Sequence, residues 1–256
     1  MLHSVMKKLI VANWKMNPRT AQEAVALATK ISKSASSLKS LDVAIAPPAA
    51  FLPLLVNKKI KRLAGQDCAA DREGAFTGSI SAFQLKSAGA QFIIIGHSER
   101  RAAGDGDDVV HRKLQMALLA GLRPILCVGE AERNREDALP KMVRHQMHTG
   151  LSGIKKSFAK HLIVAYEPVW AISGHGGVPD DPRHVFEVTL LIRRELYRMF
   201  GKNIAYRIPI LYGGSVHDKN VRGFAEEGRV DGFLVGGASL KADVFARLLK
   251  EVSDIR

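Results

Sequence analysis

Leu162-Ile163-Val164-Ala165-Tyr166-Glu167-Pro168-Val169-Trp170 sets the pattern for the whole chain. A short, continuous apolar run signals a buried strand, and it ends on a carboxylate followed by proline, which has no N–H for a further ladder bond. Glu167 is therefore expected at the carboxyl end of a strand. Downstream, Pro168-Val169-Trp170 is stiff and bulky, whereas Ser173-Gly174-His175-Gly176-Gly177 is small and glycine-rich, a composition suited to a lid that swings about a firm base. An isolated Glu-Pro is more often a solvated turn. The pattern on either side gives this one its weight.

Working outward, the same strand-then-helix unit recurs. Lys8 to Asn13 reads as a strand before a helix from about Thr20 to Leu38, and Asp42 to Ala46 as a strand before Pro47-Pro48 and a helical segment. Ile60 to Gln66, Phe92 to Gly96 and Arg123 to Val128 precede helices near Ala82 to Ser87, Val109 to Ala120 and Leu139 to Leu151. Leu162 to Tyr166, Ile208 to Tyr212 and Gly232 to Val235 precede helices near Arg183 to Phe200, Asp218 to Glu227 and Ala242 to Val252. Eight units with short, β-branched, wholly apolar strands match parallel strands covered on both faces, and about 250 residues is the usual size of a (β/α)8 barrel. An open doubly wound sheet alternates in the same way. Against it, the first strand leads into Asn13-Trp14-Lys15-Met16-Asn17 and not a dinucleotide-type glycine fingerprint. No Ser/Gly linker divides residues 1–256, so the expected architecture is α/β, one (β/α)8 barrel domain.

Composition narrows the function classes. With 256 residues, 46% hydrophobic and 25% charged, the chain is neither disordered nor fibrous. Cys68 and Cys127 both flank apolar runs, which gives no disulfide framework or metal knuckle and suits a reducing cytoplasm. No run approaches the roughly 20 apolar residues that span a bilayer, and Met1 to Val11 lacks a secretory core. The formal charge of +13 would attract nucleic acid, an anionic surface or a small phosphorylated substrate. Basic groups such as Asn57-Lys58-Lys59-Ile60-Lys61-Arg62 are dispersed and lack interleaved aromatics, so they read as solvated helix faces, with no nucleic acid or membrane partner.

In a barrel the site gathers at the carboxyl ends of the strands, where polar residues merit a functional reading. Asn13 and Lys15 follow the first strand, His97-Ser98-Glu99-Arg100 the fourth, Glu167 the sixth, Gly213-Gly214-Ser215 the seventh and Gly236-Gly237-Ala238-Ser239 the eighth. Paired glycines on consecutive loops let backbone N–H groups converge on a phosphate, although each pair alone is more often a tight turn. His97 could be an ordinary core histidine. At a helix start the positive field would keep it neutral, and a neutral ring can still donate to a carbonyl. Lys15 would offset charge on substrate oxygens, with Glu99 as its partner or simply a first-turn carboxylate. One base, one neutral donor, one cation and a phosphate cradle suggest proton transfer beside a carbonyl, needing no metal and no cofactor.

Asn13-Trp14-Lys15-Met16-Asn17, Ala75-Phe76-Thr77-Gly78, Ile95-Gly96-His97-Ser98-Glu99-Arg100-Arg101, Cys127-Val128-Gly129-Glu130, Ala165 through Ile172, Leu211-Tyr212-Gly213-Gly214-Ser215 and Leu234 through Leu240 together resemble triosephosphate isomerase, in order and over essentially the whole chain. The resemblance implies that Glu167 moves a carbon-bound proton between neighbouring carbons of dihydroxyacetone phosphate, giving glyceraldehyde 3-phosphate. His97 would donate to the enediolate oxygens, Lys15 supply charge and Asn13 a hydrogen bond, with Ser98, Glu99 and Cys127 in support. Phosphate would meet backbone N–H groups at Ser173, Ser215, Gly236 and Gly237. The resemblance also implies a homodimer in which the loop around Phe76-Thr77-Gly78 reaches residues near the partner's Met16. Two departures stand out: Ser173-Gly174-His175-Gly176-Gly177 replaces the family's Gly-Thr-Gly hinge and alters the expected closure, and Asp105-Gly106-Asp107-Asp108 replaces a glutamate-containing pattern, with an expected effect on stability. Two other readings remain at this point: another phosphate-binding barrel isomerase, and a catalytically idle barrel that uses its charge to bind nucleic acid or an acidic surface.

Overall fold

A computed structural model describes residues 7–132, 141–172 and 180–255. Eight strands alternate with helices. They are β1 (Lys8–Asn13), β2 (Leu41–Ala46), β3 (Ala64–Gly65), β4 (Phe92–Ile95), β5 (Arg123–Val128), β6 (Ile163–Tyr166), β7 (Ile210–Tyr212) and β8 (Gly232–Val235). After β1 comes α1 (Ala21–Ala35), after β2 α2 (Leu52–Asn57), and after β3 α3 (Ala82–Ser87). Two helices, α4 (Ser98–Ala102) and α5 (Asp107–Leu119), follow β4, and α6 (Lys141–Gly150) and α7 (Lys156–Ala159) follow β5. Next are α8 (Pro182–Phe200) and α9 (Lys202–Ala205) after β6, α10 (Val221–Glu226) after β7, and α11 (Ala242–Ser253) after β8.

Every strand pairing is parallel, in the order β2-β1-β8-β7-β6-β5-β4-β3. The ring closes between β2 and β3 through a single bridge, Ile45 to Leu63, with Ile45 N–H donating to the Arg62 carbonyl at 3.0 Å. The strands are apolar on both faces because both are covered, and the alternation of side chains sorts them into two cores. Leu9, Val11, Ala44, Ile94, Cys127, Ala165, Leu211 and Leu234 fill the barrel interior. Their neighbours Ile10, Ala12, Ile45, Ile95, Val128, Tyr166, Tyr212 and Val235 face the helices. The same parity has a consequence at the top of the barrel: Asn13 continues the inward set of β1, Glu167 that of β6, and Gly129, Gly213 and Gly236 those of β5, β7 and β8.

Local chemistry starts the helices where the sequence places them. Thr20 and Glu23 form a reciprocal capping box on α1, and Ser81 and Gln84 another on α3. Asp181 accepts from Arg183 N–H at 2.9 Å and Pro182 occupies the first turn of α8. The third strand is shorter than its apolar run suggested, two residues against Ile60 to Gln66. The chain leaves α2 through a left-handed turn at Lys59, so it comes alongside β2 only at Arg62 and Leu63. No helix of the described residues is long and apolar enough to cross a membrane.

Candidate active site

Polar residues from the ends of β1, β4 and β6 form one connected cluster. Glu167 follows β6 directly, its N–H donating to the Val128 carbonyl at 2.8 Å and its side chain almost wholly buried. Its Oε1 lies 3.5 Å from His97 Nε2. His97 caps α4, its Nδ1 accepting the Glu99 backbone N–H at 3.2 Å. An acceptor at Nδ1 places the proton of a neutral imidazole on Nε2, the nitrogen that faces Glu167. Glu99 in turn holds Lys15 Nζ at 2.7 Å. Lys15 and His97, from distant segments, thus meet through Glu99, by its carboxylate and its backbone N–H respectively, and His97 in turn faces Glu167.

Lys15 has an unusual backbone, with φ at 52°. A left-handed lysine is strained and persists only where its surroundings fix it. Asn13 Oδ1 accepts the Lys15 N–H at 3.1 Å, and Gln66 Nε2 donates to the Lys15 carbonyl at 2.8 Å while also reaching the Ala46 carbonyl at 2.8 Å. Asn13 therefore orients Lys15 with its carbonyl oxygen, leaving its NH2 group to donate elsewhere. Gln66 ties the ends of β1 and β2 to the same loop, a role unseen in the sequence because Gln66 reads there as the last residue of a strand.

Beneath α4, Asp67 and Asp105 enclose the buried Lys113 ammonium at 2.7 and 2.6 Å, and Arg100 Nε approaches the same two carboxylates at 2.9 and 3.4 Å. The acidic stretch is thus part of an ion-pair network that anchors the helix bearing Glu99. Ser98 Oγ is buried without a hydrogen-bond partner in the described structure, so its supporting role has no visible contact.

Around Glu167 the important residues are those that leave space. A Cβ at Gly213 would lie 2.7 Å from Glu167 Cγ, and one at Gly129 would lie 1.9 Å from the Glu167 carbonyl oxygen. Gly129 is held in turn by Gln146, whose Oε1 accepts its N–H at 2.8 Å and whose Nε2 donates to its carbonyl at 3.1 Å. Glu130 Oε1 accepts from Tyr166 OH at 2.8 Å and Trp170 Nε1 at 2.9 Å, and the Glu130 carbonyl accepts from Val169 N–H at 2.9 Å. These bonds are the firm base beyond Glu167. Glu167 Oε2 is buried and has no hydrogen-bond partner, the one oxygen of the carboxylate that no donor in the described structure occupies.

The glycine loops flank this cluster. Gly236 sits 3.6 Å, at its virtual Cβ, from Lys15 Cε, and Gly237 opens a 3-10 turn to Leu240 with nothing within 4 Å of its own virtual Cβ. Ser215 N–H donates to the Ala171 carbonyl at 3.0 Å, so a phosphate at this N–H requires that bond to open. Ser173 and the rest of Ser173 to Gly177 lie outside the described residues.

Cys127, one position from Gly129 on the inward face, is fully buried, and burial first and the Glu167 charge second push its thiol well above the ordinary range. Burial, reinforced by Asp67, pushes Cys68 up to about 12. Both thiols stay protonated when folded. Above the ordinary thiol pKa of about 8.5 the unfolded chain ionises them while the folded chain does not, so they remove stability as pH rises from there. A thiol-specific disulfide reagent at pH 8 is expected to leave both cysteines of the native protein unmodified and to titrate two per chain in denaturant.

The family model for triosephosphate isomerase matches residues 8–252. Triosephosphate isomerase from Carboxydothermus hydrogenoformans is 40% identical over 251 residues, covering 95% of this chain and 98% of that protein. The enzyme from Citrifermentans bemidjiense is 41% identical over 250 residues, with the same coverages. A crystal structure of triosephosphate isomerase from Bartonella henselae superposes with a TM-score of 0.84 at 34% identity, covering 96% of this chain and 98% of that one. The chain belongs to the triosephosphate isomerase family, the aldose–ketose isomerases that interconvert dihydroxyacetone phosphate and glyceraldehyde 3-phosphate.

Proposed function

We propose that Glu167 is the base of this isomerisation, that His97 and Lys15 stabilise the enediolate it creates, and that residues 1–256 act as one catalytic domain. The observation that carries the proposal is the linked chain Lys15–Glu99–His97–Glu167, with contacts of 2.7, 3.2 and 3.5 Å. Glu167 takes the proton from the substrate carbon beside the carbonyl and returns it to the neighbouring carbon. As the carbon–hydrogen bond breaks, the electron pair moves onto the carbonyl oxygen; His97 gives its Nε2 proton to that oxygen and takes the hydroxyl proton from the neighbouring oxygen, which becomes the new carbonyl oxygen when Glu167 returns its proton to carbon. Lys15 places an ammonium beside the developing charge, and Asn13 NH2 adds a donor. The phosphate lies against the N–H groups of Gly236 and Gly237 on one side and Ser215 on the other, where opening the Ser215–Ala171 bond couples binding to the segment that follows Trp170.

Lys15→Met keeps the length of the side chain and removes its charge. In an assay that couples consumption of glyceraldehyde 3-phosphate to an indicator enzyme, kcat/KM is expected to fall about 10²- to 10³-fold, with KM raised because the ammonium serves both bound substrate and enediolate. An unchanged kcat/KM would remove Lys15 from the mechanism.

The same reading includes a homodimer in a reducing, cytoplasmic setting. Its support is the exposed apolar surface beside the site: Met16 is 92% exposed and Phe76 49%, on loops that the family resemblance pairs across a two-fold axis. Sedimentation should give twice the chain mass, and Met16→Lys should shift the equilibrium toward monomer.

A further inference from the structure

At the amino end of the barrel, away from the strand ends that carry Glu167, a cleft of about 490 Å³ lies between the end of α1, the start of β2 and the segment entering β3. That is within the size range of small-molecule sites. Ile31, Ala35, Leu38, Val43 and Ile60 give it an aliphatic wall. Lys7, Lys39, Lys59 and Lys61 form its rim, all exposed and without an ion-pair partner among the described residues. Arg62 and Asp42 also line it but neutralise each other, Nε to Oδ1 at 2.6 Å. None of its lining side chains is aromatic, which argues against stacking of a nucleotide base.

Lys59 supplies an independent sign. Ile60 N–H donates to the Leu55 carbonyl at 3.1 Å and Lys59 N–H to the Val56 carbonyl at 2.8 Å, the bond pattern of a Schellman motif with Lys59 in its left-handed position at φ 60°. Glycine is the least strained residue there. A lysine at this position puts an ammonium on the rim at a local conformational cost, and it belongs to the basic group Lys58 to Arg62, for which the isomerase reaction has no use.

We propose that this cleft binds a small aliphatic anion, an alkyl body bearing a carboxylate or phosphate, with the body against Ile31, Leu38, Val43 and Ile60 and the anionic group among the four lysines. Neither half suffices alone: the wall offers no charge, and isolated surface lysines hold an anion weakly in salt.

The test is a titration of the 15N-labelled full chain with octanoate at low ionic strength, followed by two-dimensional NMR, with acetate and 1-octanol as probes of each half. Octanoate is expected to shift amides of residues 31–43 and 59–62 with Kd on the order of 1 mM, as suits so small a ligand. Acetate and 1-octanol should bind there about tenfold more weakly or worse, each lacking one of the two contacts. Lys39→Glu/Lys59→Glu/Lys61→Glu should raise Kd about tenfold or more by reversing three charges, whereas Lys155→Glu/Lys156→Glu, at the start of α7, should leave it unchanged. Lys59→Gly should weaken octanoate binding while raising Tm by about 2 °C, as relief of the left-handed strain requires. Isomerase kcat/KM should stay the same in all these variants, so failure here is separable from failure of the catalytic assignment. Shifts scattered over the surface, shifts centred on the loops around Glu167, or equal binding by the triple variant would overturn the proposal.

Discussion

Glu167→Gln is expected to lower kcat by about 10²- to 10⁴-fold, the range a positioned general base supplies, with little change in KM. The amide has the volume of the carboxylate and fits the space that Gly129 and Gly213 leave, but it cannot accept a proton from carbon. Stability should hold. The native carboxylate is buried, touches His97 only at 3.5 Å and has one oxygen without a partner, so its replacement by a neutral group leaves no new charge unpaired. Tm is expected to move by no more than about 3 °C, since about 1 kcal/mol corresponds to 2–4 °C in a domain of this size. Circular dichroism melts beside the coupled assay separate loss of chemistry from loss of fold. A variant that kept wild-type kcat would show that another group takes the proton.

Gly129→Ala should damage both stability and activity. The added methyl would sit 1.9 Å from the Glu167 carbonyl oxygen and 2.5 Å from its carbonyl carbon, and these are backbone atoms with no rotamer to change. Nor can Gly129 itself retreat, because Gln146 holds both its N–H and its carbonyl. Forcing β5 and β6 apart at this point is expected to cost about 3 kcal/mol, at the upper end of overpacking penalties, and so to lower Tm by roughly 6–12 °C. What remains folded should carry a displaced base, and a shift of about 1 Å in a reacting group costs about 100-fold. Gly213→Ala makes an informative contrast. Its methyl meets the Glu167 side chain at Cγ, which can move aside, so activity should fall while the melt changes less. Equal melting of Gly129→Ala and wild type would mean that the β5–β6 ends are looser than the described contacts allow.

The strands were legible in the sequence because being covered on both faces requires unbroken apolar runs, and parallel strands require a helix between them. Glu167 was legible for a related reason: a carboxylate after Ile163-Val164-Ala165-Tyr166 has no place in either core, so it must top the barrel. What the sequence left unseen depends on neighbours fixed by register. Gly129 and Glu167 are far apart in the chain and meet because Val128 pairs with Tyr166. Glu130 stands in the sequence only as the last residue of Cys127-Val128-Gly129-Glu130, and its role emerges when Tyr166 and Trp170 both turn their donors toward it. Lys15 reads as a lysine on a loop. Its left-handed backbone emerges only from the positions of Asn13 and Gln66. The short β3 was hidden because Ile60 packs beside the end of α2 and not in the sheet, a choice made by the turn at Lys59 and not by hydrophobicity.

A carboxylate that moves a carbon-bound proton within this cluster can exchange that proton with solvent while it holds it, which leaves an isotopic trace that a direct hydride shift does not. Isomerisation of glyceraldehyde 3-phosphate in D2O, followed by 1H NMR, should place solvent deuterium on the product carbon that receives the proton. The label should appear in a share of the wild-type product, set by how fast the proton held on Glu167 exchanges with solvent before it is returned, and its rate of appearance should fall with kcat in Glu167→Gln. Product formed at the full rate by Glu167→Gln, with no deuterium on carbon in either protein, would mean that hydrogen passes directly between the two carbons as hydride, and the assignment of Glu167 as base would be wrong.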